Sequence, residues 1–230
     1  MSDSPSPQPD LPGWLEPVRR AALEIRPDEL TSFVAPEGAR TREGAVLLLF
    51  GEGVNGPDLL LTERAHDMRS HPGQVSFPGG SIDATDASPA HAAVREAQEE
   101  TGLEPAGVDV LGTLPPLYLP PTGFVVTPVL AWWREPSPVR VVDPAEVAAV
   151  VRVPLDELLD PANRSTVRHP SGYVGPVFEA GGLFVWGFTA GLLSRVLSLA
   201  GLERPWDRSR RVALPDRLQA LLPTVPAPRP

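Results

Sequence analysis

The sequence predicts an α+β fold with a mixed β-sheet, on three observations. Apolar runs of strand length fill the middle of the chain, at 44–50, 58–64, 108–114, 124–133 and 148–154. Helical spacing is confined to segments before, between and after those runs. No regular strand–helix–strand repeat joins them.

The elements follow in order. PGWLEPVRRAALEI, 12–25, reads as an N-terminal helix with Pro17 near its first turn. GAVLLLF, 44–50, and DLLLTER, 58–64, flank GEGVNGP. The glycines and the Asn-Gly pair of that link mark a turn, so the two runs pair as strands. VDVLGTL, 108–114, and FVVTPVLAWW, 124–133, are further strands. Pro128 cannot donate to a ladder, which predicts an edge or a bulge in the second. AAVVRVP, 148–154, is a strand that leads into a short helix in LDELL. FTAGLLSRVLSLAG, 188–201, has leucines at helical spacing and stops at Gly201.

With 230 residues, 42% of them hydrophobic, the chain suits one domain with its own core. It has no cysteine, which excludes disulfides and thiolate metal sites and fits a cytoplasmic protein. MSDSPSPQPD carries no basic region and no apolar run, so it does not read as a signal peptide. The longest apolar stretch, 181–194, is too short to span a membrane and reads as core. A net charge of −9 argues against nucleic-acid or anionic-membrane binding, which needs a basic face. An anionic substrate then binds only where arginines or a metal reverse the field. The 30 prolines thicken toward the ends. Residues 1–12 are expected to be a disordered tail, 13–204 the folded domain and 205–230 a Pro-rich C-terminal extension.

The best-specified helix is 88–103. Ser88 is a good N-cap, Pro89 suits the first helical position, and Gly102 suits a left-handed stop with Leu103 closing behind it. Ala90, Val94, Ala97 and Thr101 form one small packable face. At about 100° per residue, Glu96, Glu99 and Glu100 centre on nearly the opposite side, so they are expected to face solvent or a site. Like charges at this spacing cost roughly 0.2–0.5 kcal/mol per pair. A solvated acidic stripe is one explanation. The other is a divalent cation that needs several oxygens at once. Just upstream, Gly79 and Gly80 follow Pro78 in a loop that can expose carbonyls and approach a ligand closely. A glycine carbonyl and two or three glutamates supply part of an octahedral shell for Mg²⁺, which keeps several waters. Such an ion bridges phosphate oxygens and orients a water as a P–O bond breaks.

Gly80, Asp86 and the run Arg95, Glu96, Ala97, Glu99, Glu100, Gly102, Leu103 resemble the Nudix box. That pattern is Gly, five residues, Glu, seven residues, then Arg-Glu-apolar-x-Glu-Glu-x-Gly-apolar. Here Asp86 replaces the first Glu, and one extra residue precedes Arg95. The preceding segment, LLTERAHDMRSHPGQVSFPGG at 60–80, resembles the second signature of the coenzyme A diphosphatase branch, through Arg64, Arg69, His71, Gly73, Gln74, Phe77, Pro78, Gly79 and Gly80. That branch also carries an Asp and the longer spacing.

The resemblance implies a Nudix-type α/β/α sandwich with a mixed sheet and a hydrolase that depends on Mg²⁺, with Mn²⁺ as an alternative. It implies Glu96 and Glu100 as metal ligands, Glu99 as a third ligand or the water-activating base, and the Gly80 carbonyl as a further donor. Arg95 would hold the loop onto the helix. Arg64, Arg69, His71, Gln74, Phe77 and Gly79 would contact substrate, although Phe77 reads equally well as core. His66 reads as a surface residue, and Trp132, Trp133 and Trp186 as packing. The implied substrate is coenzyme A or a thioester of it, cleaved to 3′,5′-ADP and 4′-phosphopantetheine or its acyl form. The rivals are a Nudix hydrolase of another nucleoside diphosphate compound, such as ADP-ribose or a dinucleotide, and a non-catalytic sensor. The oligomeric state is open between monomer and homodimer.

Overall fold

A computed structural model of the chain describes residues 11–30, 36, 38, 40–68, 71–120, 123–169 and 172–219. Its elements, in order, are α1 (Glu16–Glu24), α2 (Pro27–Leu30), β1 (Arg42–Gly53), β2 (Gly56–Arg64), β3 (Val75–Ser76), β4 (Gly79–Ser81), α3 (Pro89–Thr101), β5 (Val108–Thr113), β6 (Leu117–Leu119), β7 (Phe124–Trp133), β8 (Val147–Pro154), α4 (Leu155–Leu159), β9 (Arg164–Arg168), β10 (Val174–Ala180), β11 (Leu183–Val185), α5 (Gly187–Leu199), β12 (Arg211–Val212) and α6 (Asp216–Gln219).

The hairpin read from the Asn-Gly turn is present, with Gly53 facing Gly56 and Phe50 facing Leu59 across β1 and β2. β1 also pairs in parallel with β7, from Arg42 opposite Phe124 to Gly51 opposite Trp133. The main sheet runs β3-β2-β1-β7-β5, with β4 on β1, β6 on β7 and β8 on β2. It is therefore mixed, as expected. Its strands bury both faces. On one side Leu47, Leu49, Leu60, Ala131 and Trp133 pack against Ala92, Ala93 and Ala97 of α3. On the other, Leu48, Phe50, Leu59, Leu61 and Trp132 pack with Val18 and Ala22 of α1 and Leu193 and Val196 of α5. Helix, sheet and helix make the α/β/α sandwich, because a sheet apolar on both faces must be covered on both.

Pro128 requires a correction. β7 is not an edge strand; it lies between β1 and β5. The irregularity falls in its partners. The β5–β7 register slips between Val110 and Gly112. Pro128 itself stands opposite the gap between β5 and β6, where its carbonyl accepts from Leu114 N at 2.9 Å. The N and C=O of one strand residue point to the same side, so the missing donor also faces that gap and no ladder bond is lost.

A second sheet runs β11-β10-β9-β12. β12 pairs in parallel with β9, and Leu214 packs with Val167 and Val177. Residues 205–219 thus continue the packed structure. No described helix is long and apolar enough to cross a membrane.

Candidate active site

Helix α3 starts and stops where its local chemistry directs. Ser88 Oγ accepts from His91 N at 3.1 Å, Pro89 occupies the first turn, and Gly102 closes the C-terminus in the left-handed region. The alanine face lets α3 sit close on β1 and β7, with Ala92, Ala93 and Ala97 fully buried. That face is turned further toward Glu100 than Ala90, Val94, Ala97 and Thr101 suggest. Glu100 is only 8% exposed, so the three glutamates do not all face away from the core.

Close approach continues at β4. Gly79 has φ 155°, and a Cβ there would lie 2.3 Å from Ala45 O. At Gly80 a Cβ would lie 2.5 Å from Glu96 Cδ. At Gly79 the obstacle is backbone and only glycine fits; at Gly80 it is the Glu96 carboxylate, which a side chain would displace. Glu100 Oε2 accepts from Gly79 N at 3.1 Å. The Gly-Gly strand thus carries the Glu96 and Glu100 carboxylates on one side.

Burial, set against the Gly79 N–H and reinforced by the charge of Glu96, pushes the Glu100 carboxyl up to about 7. Burial also raises Glu96, although Arg95 opposes it. A buried and a partly buried carboxylate that repel each other are poised to take a cation or a proton. Glu99 differs. Its side chain is 58% exposed and accepts from Arg95 Nη1 at 2.9 Å.

Arg95 joins the box. Its guanidinium forks onto Asp86, Nε to Oδ1 at 3.1 Å and Nη2 to Oδ2 at 3.0 Å. Nη2 also reaches Ser81 O at 3.1 Å and Glu96 Oε1 at 3.1 Å. The Asp86 side chain is wholly buried, accepts from Asp83 N at 2.8 Å and meets His91 Nδ1 at 2.8 Å. Arg95 holds its carboxyl well below the usual range. The loop between β4 and α3 is thereby fastened to both.

Of the residues expected to contact substrate, Arg64 ends β2, while His71 and Gln74 lie on the loop between β2 and β3. Arg64 N donates to Gln74 O at 3.0 Å and Gly73 N to Arg64 O at 3.2 Å, which closes the loop at its neck. Among the described residues, Arg64 Nε is buried with no hydrogen-bond partner. Its charge acts on both Glu100 and His71. His71 has φ 53°, a conformation that costs a non-glycine residue about 1–3 kcal/mol and persists where surrounding structure imposes it. Its Nδ1 meets Gln74 Oε1 at 3.1 Å, and burial, then Arg64, lower its pKa. Arg69 lies outside the described residues. Phe77 is a correction: it is 1% exposed and belongs to the core on the α1/α5 side, which leaves no open ring face for a ligand.

Sequence reasoning missed Glu146. It sits in the turn before β8, its carbonyl accepts from Ala65 N at 2.8 Å, and its charge adds to the rise at Glu100. The only available signal was an acidic residue beside a strand start, which is common on any surface.

Among the described residues no group of three or more His, Asp or Glu side chains is gathered tightly enough to hold a metal alone. The arrangement suits a hard cation that keeps several waters. Glu96 and Glu100 supply two carboxylate oxygen donors beside the Gly79–Gly80 backbone, where Glu100 accepts from Gly79 N. On donor chemistry, the residues fit Mg²⁺ or Mn²⁺.

The family profile described as NUDIX domain matches residues 40–171. A Cronobacter sakazakii protein described as uncharacterized Nudix hydrolase NudL is 45% identical over 152 residues, covering 65% of this chain and 78% of its own. Its Enterobacter sp. counterpart of the same description is 43% identical over 154 residues, covering 64% and 77%. Among solved structures, the Nudix hydrolase RenU from M. smegmatis covers 76% of this chain and 97% of its own with a TM-score of 0.51. At 22% identity that likeness is one of fold.

Proposed function

The chain belongs to the NUDIX domain family and is a diphosphate-bond hydrolase, and on that premise we propose that it cleaves coenzyme A or its thioesters. Nudix hydrolases act on nucleoside diphosphate derivatives and generally use divalent metal ions. The observation that carries the narrower reading is Arg64. A guanidinium nitrogen buried with no partner among the described residues, with its charge acting on Glu100 and His71 in a chain of net charge −9, supports a ligand rich in phosphate oxygens. Coenzyme A offers a diphosphate and a 3′-phosphate to such a loop.

In this reading Glu96, Glu100 and the Gly80 carbonyl hold Mg²⁺, with Mn²⁺ as an alternative. The ion, when bound, supplies charge neutralisation at phosphate oxygens and lowers the pKa of a coordinated water. Arg64, His71 and Gln74 bind and orient the phosphates, with Arg69 and Gly79 as further contacts. Arg95 keeps Glu96 and the Ser81–Asp86 loop in register. Water attacks one diphosphate phosphorus, a new P–O bond forms, the bridging P–O bond breaks, and its electron pair leaves with the departing phosphate. A glutamate takes the water's proton. Glu99, which stands on Arg95, is a candidate for that base or for a third ligand.

The test is a substrate panel of coenzyme A, an acyl-coenzyme A, 3′-dephospho-coenzyme A, ADP-ribose and a diadenosine polyphosphate, with products identified by mass. The expected result is 3′,5′-ADP with 4′-phosphopantetheine or its acyl form, at the highest kcat/KM of the panel. A preference for ADP-ribose or the dinucleotide would overturn the coenzyme A assignment and leave the diphosphate chemistry intact.

A further inference from the structure

The chain beyond α5 is fastened down with unusual completeness. Arg164 on β9 is 1% exposed and lies between two rings, 3.9 Å from the Phe178 centroid and 4.6 Å from that of Trp206. Its Nη2 donates to Ser194 Oγ at 2.9 Å and reaches Glu203 Oε1 at 3.3 Å, and Trp206 Nε1 donates to the same carboxylate at 2.9 Å. Farther on, Thr166 Oγ1 donates to Arg210 O at 3.0 Å, and β12 adds a strand to the second sheet. Leu214 then packs on Val167 and Val177. The segment ends at α6, where Leu218 is 3% exposed.

Leu218 lies beside the loop that carries Gly73. Its Cδ2 lies 3.8 Å from where a Gly73 Cβ would stand, and His66 Nδ1 lies 2.8 Å from the same point. Gly73 is the residue whose N–H closes the loop neck onto Arg64 O, two positions after His71. The loop's positive-φ histidine needs surrounding structure to hold it. The neck hydrogen bonds supply part of that support, with Gln74 N donating to His71 O at 3.2 Å.

We propose that Leu218 is a positioning residue for the substrate loop, placed beside Gly73 by the segment that Arg164 and β12 anchor. The proposal rests on the reading of Arg64 and His71 as substrate contacts. Removing the leucine side chain releases the loop backbone, so substrate binding weakens while the carboxylate box is undisturbed.

The experiment compares wild type with Leu218→Ala, Leu218→Val and Leu218→Met, by steady-state kinetics on coenzyme A with saturating Mg²⁺ and by amide hydrogen exchange. Leu218→Ala is expected to raise KM roughly three- to tenfold with kcat nearly unchanged, the split that marks lost uniform binding. Leu218→Met, which keeps the volume, restores KM. The amides of Gly73 and Gln74 exchange faster in the alanine variant, while those of α3 do not. If Leu218→Ala does not fold, the valine variant carries the same comparison. A lowered melting temperature with unchanged KM and unchanged loop exchange would make Leu218 merely structural and overturn the proposal. If wild type leaves coenzyme A intact, the substrate reading fails. The same KM and kcat comparison on whichever nucleoside diphosphate compound it does hydrolyse then judges Leu218 separately.

Discussion

Glu96 occupies the space that a side chain at Gly80 would need: its Cδ lies 2.5 Å from the position of a Gly80 Cβ. Strand β4 and helix α3 are thus fitted to each other through a carboxylate and a missing methyl group. Gly80→Ala must push the Glu96 carboxylate aside, and a misplacement near 1 Å costs about a hundredfold in rate. We expect kcat to fall by about that factor with the fold intact. Circular dichroism and turnover measured side by side would check it, and a variant within twofold of wild type would show that the contact is slack.

Glu100→Gln keeps size and removes charge. We expect turnover to drop by two or more orders of magnitude at saturating Mg²⁺ if Glu100 is a metal ligand. Near-wild-type rates would remove it from the metal site.

The same residue predicts a pH dependence for the metal-free protein. Its carboxyl rises from an ordinary 4.5 to about 7 in the fold. A folded pKa above the unfolded one means the native state holds the proton more tightly. The stability it contributes is therefore full below about pH 4.5 and is lost as pH rises to about 7. With chelator present, wild type should lose melting temperature across that window, and Glu100→Gln should lose less. Parallel slopes for the two proteins would refute the assignment.

Asp86 supports the site from behind. It accepts both arms of the Arg95 fork. Asp86→Asn keeps one acceptor and replaces the other with a donor. Changes to such supporting groups typically cost about 10–100-fold in metal affinity or activity. We expect that loss in a Mn²⁺ titration followed by water-proton relaxation, with Asp86→Glu recovering part of it.

Arg64→Ala should lower kcat/KM for coenzyme A by roughly one to two orders of magnitude, since a hydrogen bond to a charged group contributes about 1.5–3 kcal/mol. Pairing it with 3′-dephospho-coenzyme A locates the contact. An equal loss on both substrates assigns Arg64 to the diphosphate; a loss confined to coenzyme A assigns it to the 3′-phosphate.

What the sequence disclosed was mostly local. Ser88, Pro89 and Gly102 set the ends of α3 because capping is decided within a few residues. The β1–β2 hairpin followed from one Asn-Gly turn. The Gly80 and Glu96 pairing was legible as a motif, but not as a contact, because it depends on how far α3 turns on its alanines. Those alanines meet β1 and β7, which are distant in sequence, and the extra turn is what buries Glu100. Phe77 could be assigned to core or ligand, since an aromatic beside Pro-Gly-Gly serves either, and only the packing on the α1/α5 side decided it. The strands β9 to β12 escaped notice because they are short and lack clean alternation. Leu218 carried no signal at all, being one leucine in a Pro-rich stretch.

The parallel pairing of β1 with β7 sets an order of assembly. Helix α3 packs on a surface made jointly by these strands, and β1 finds its partner only when Phe124–Trp133 is available. A chain emerging from the ribosome carries the complete acidic box well before it owns the platform that orients it. Such distant closures slow folding. Until Phe124–Trp133 joins β1, the three glutamates of the box have no complete surface to orient them.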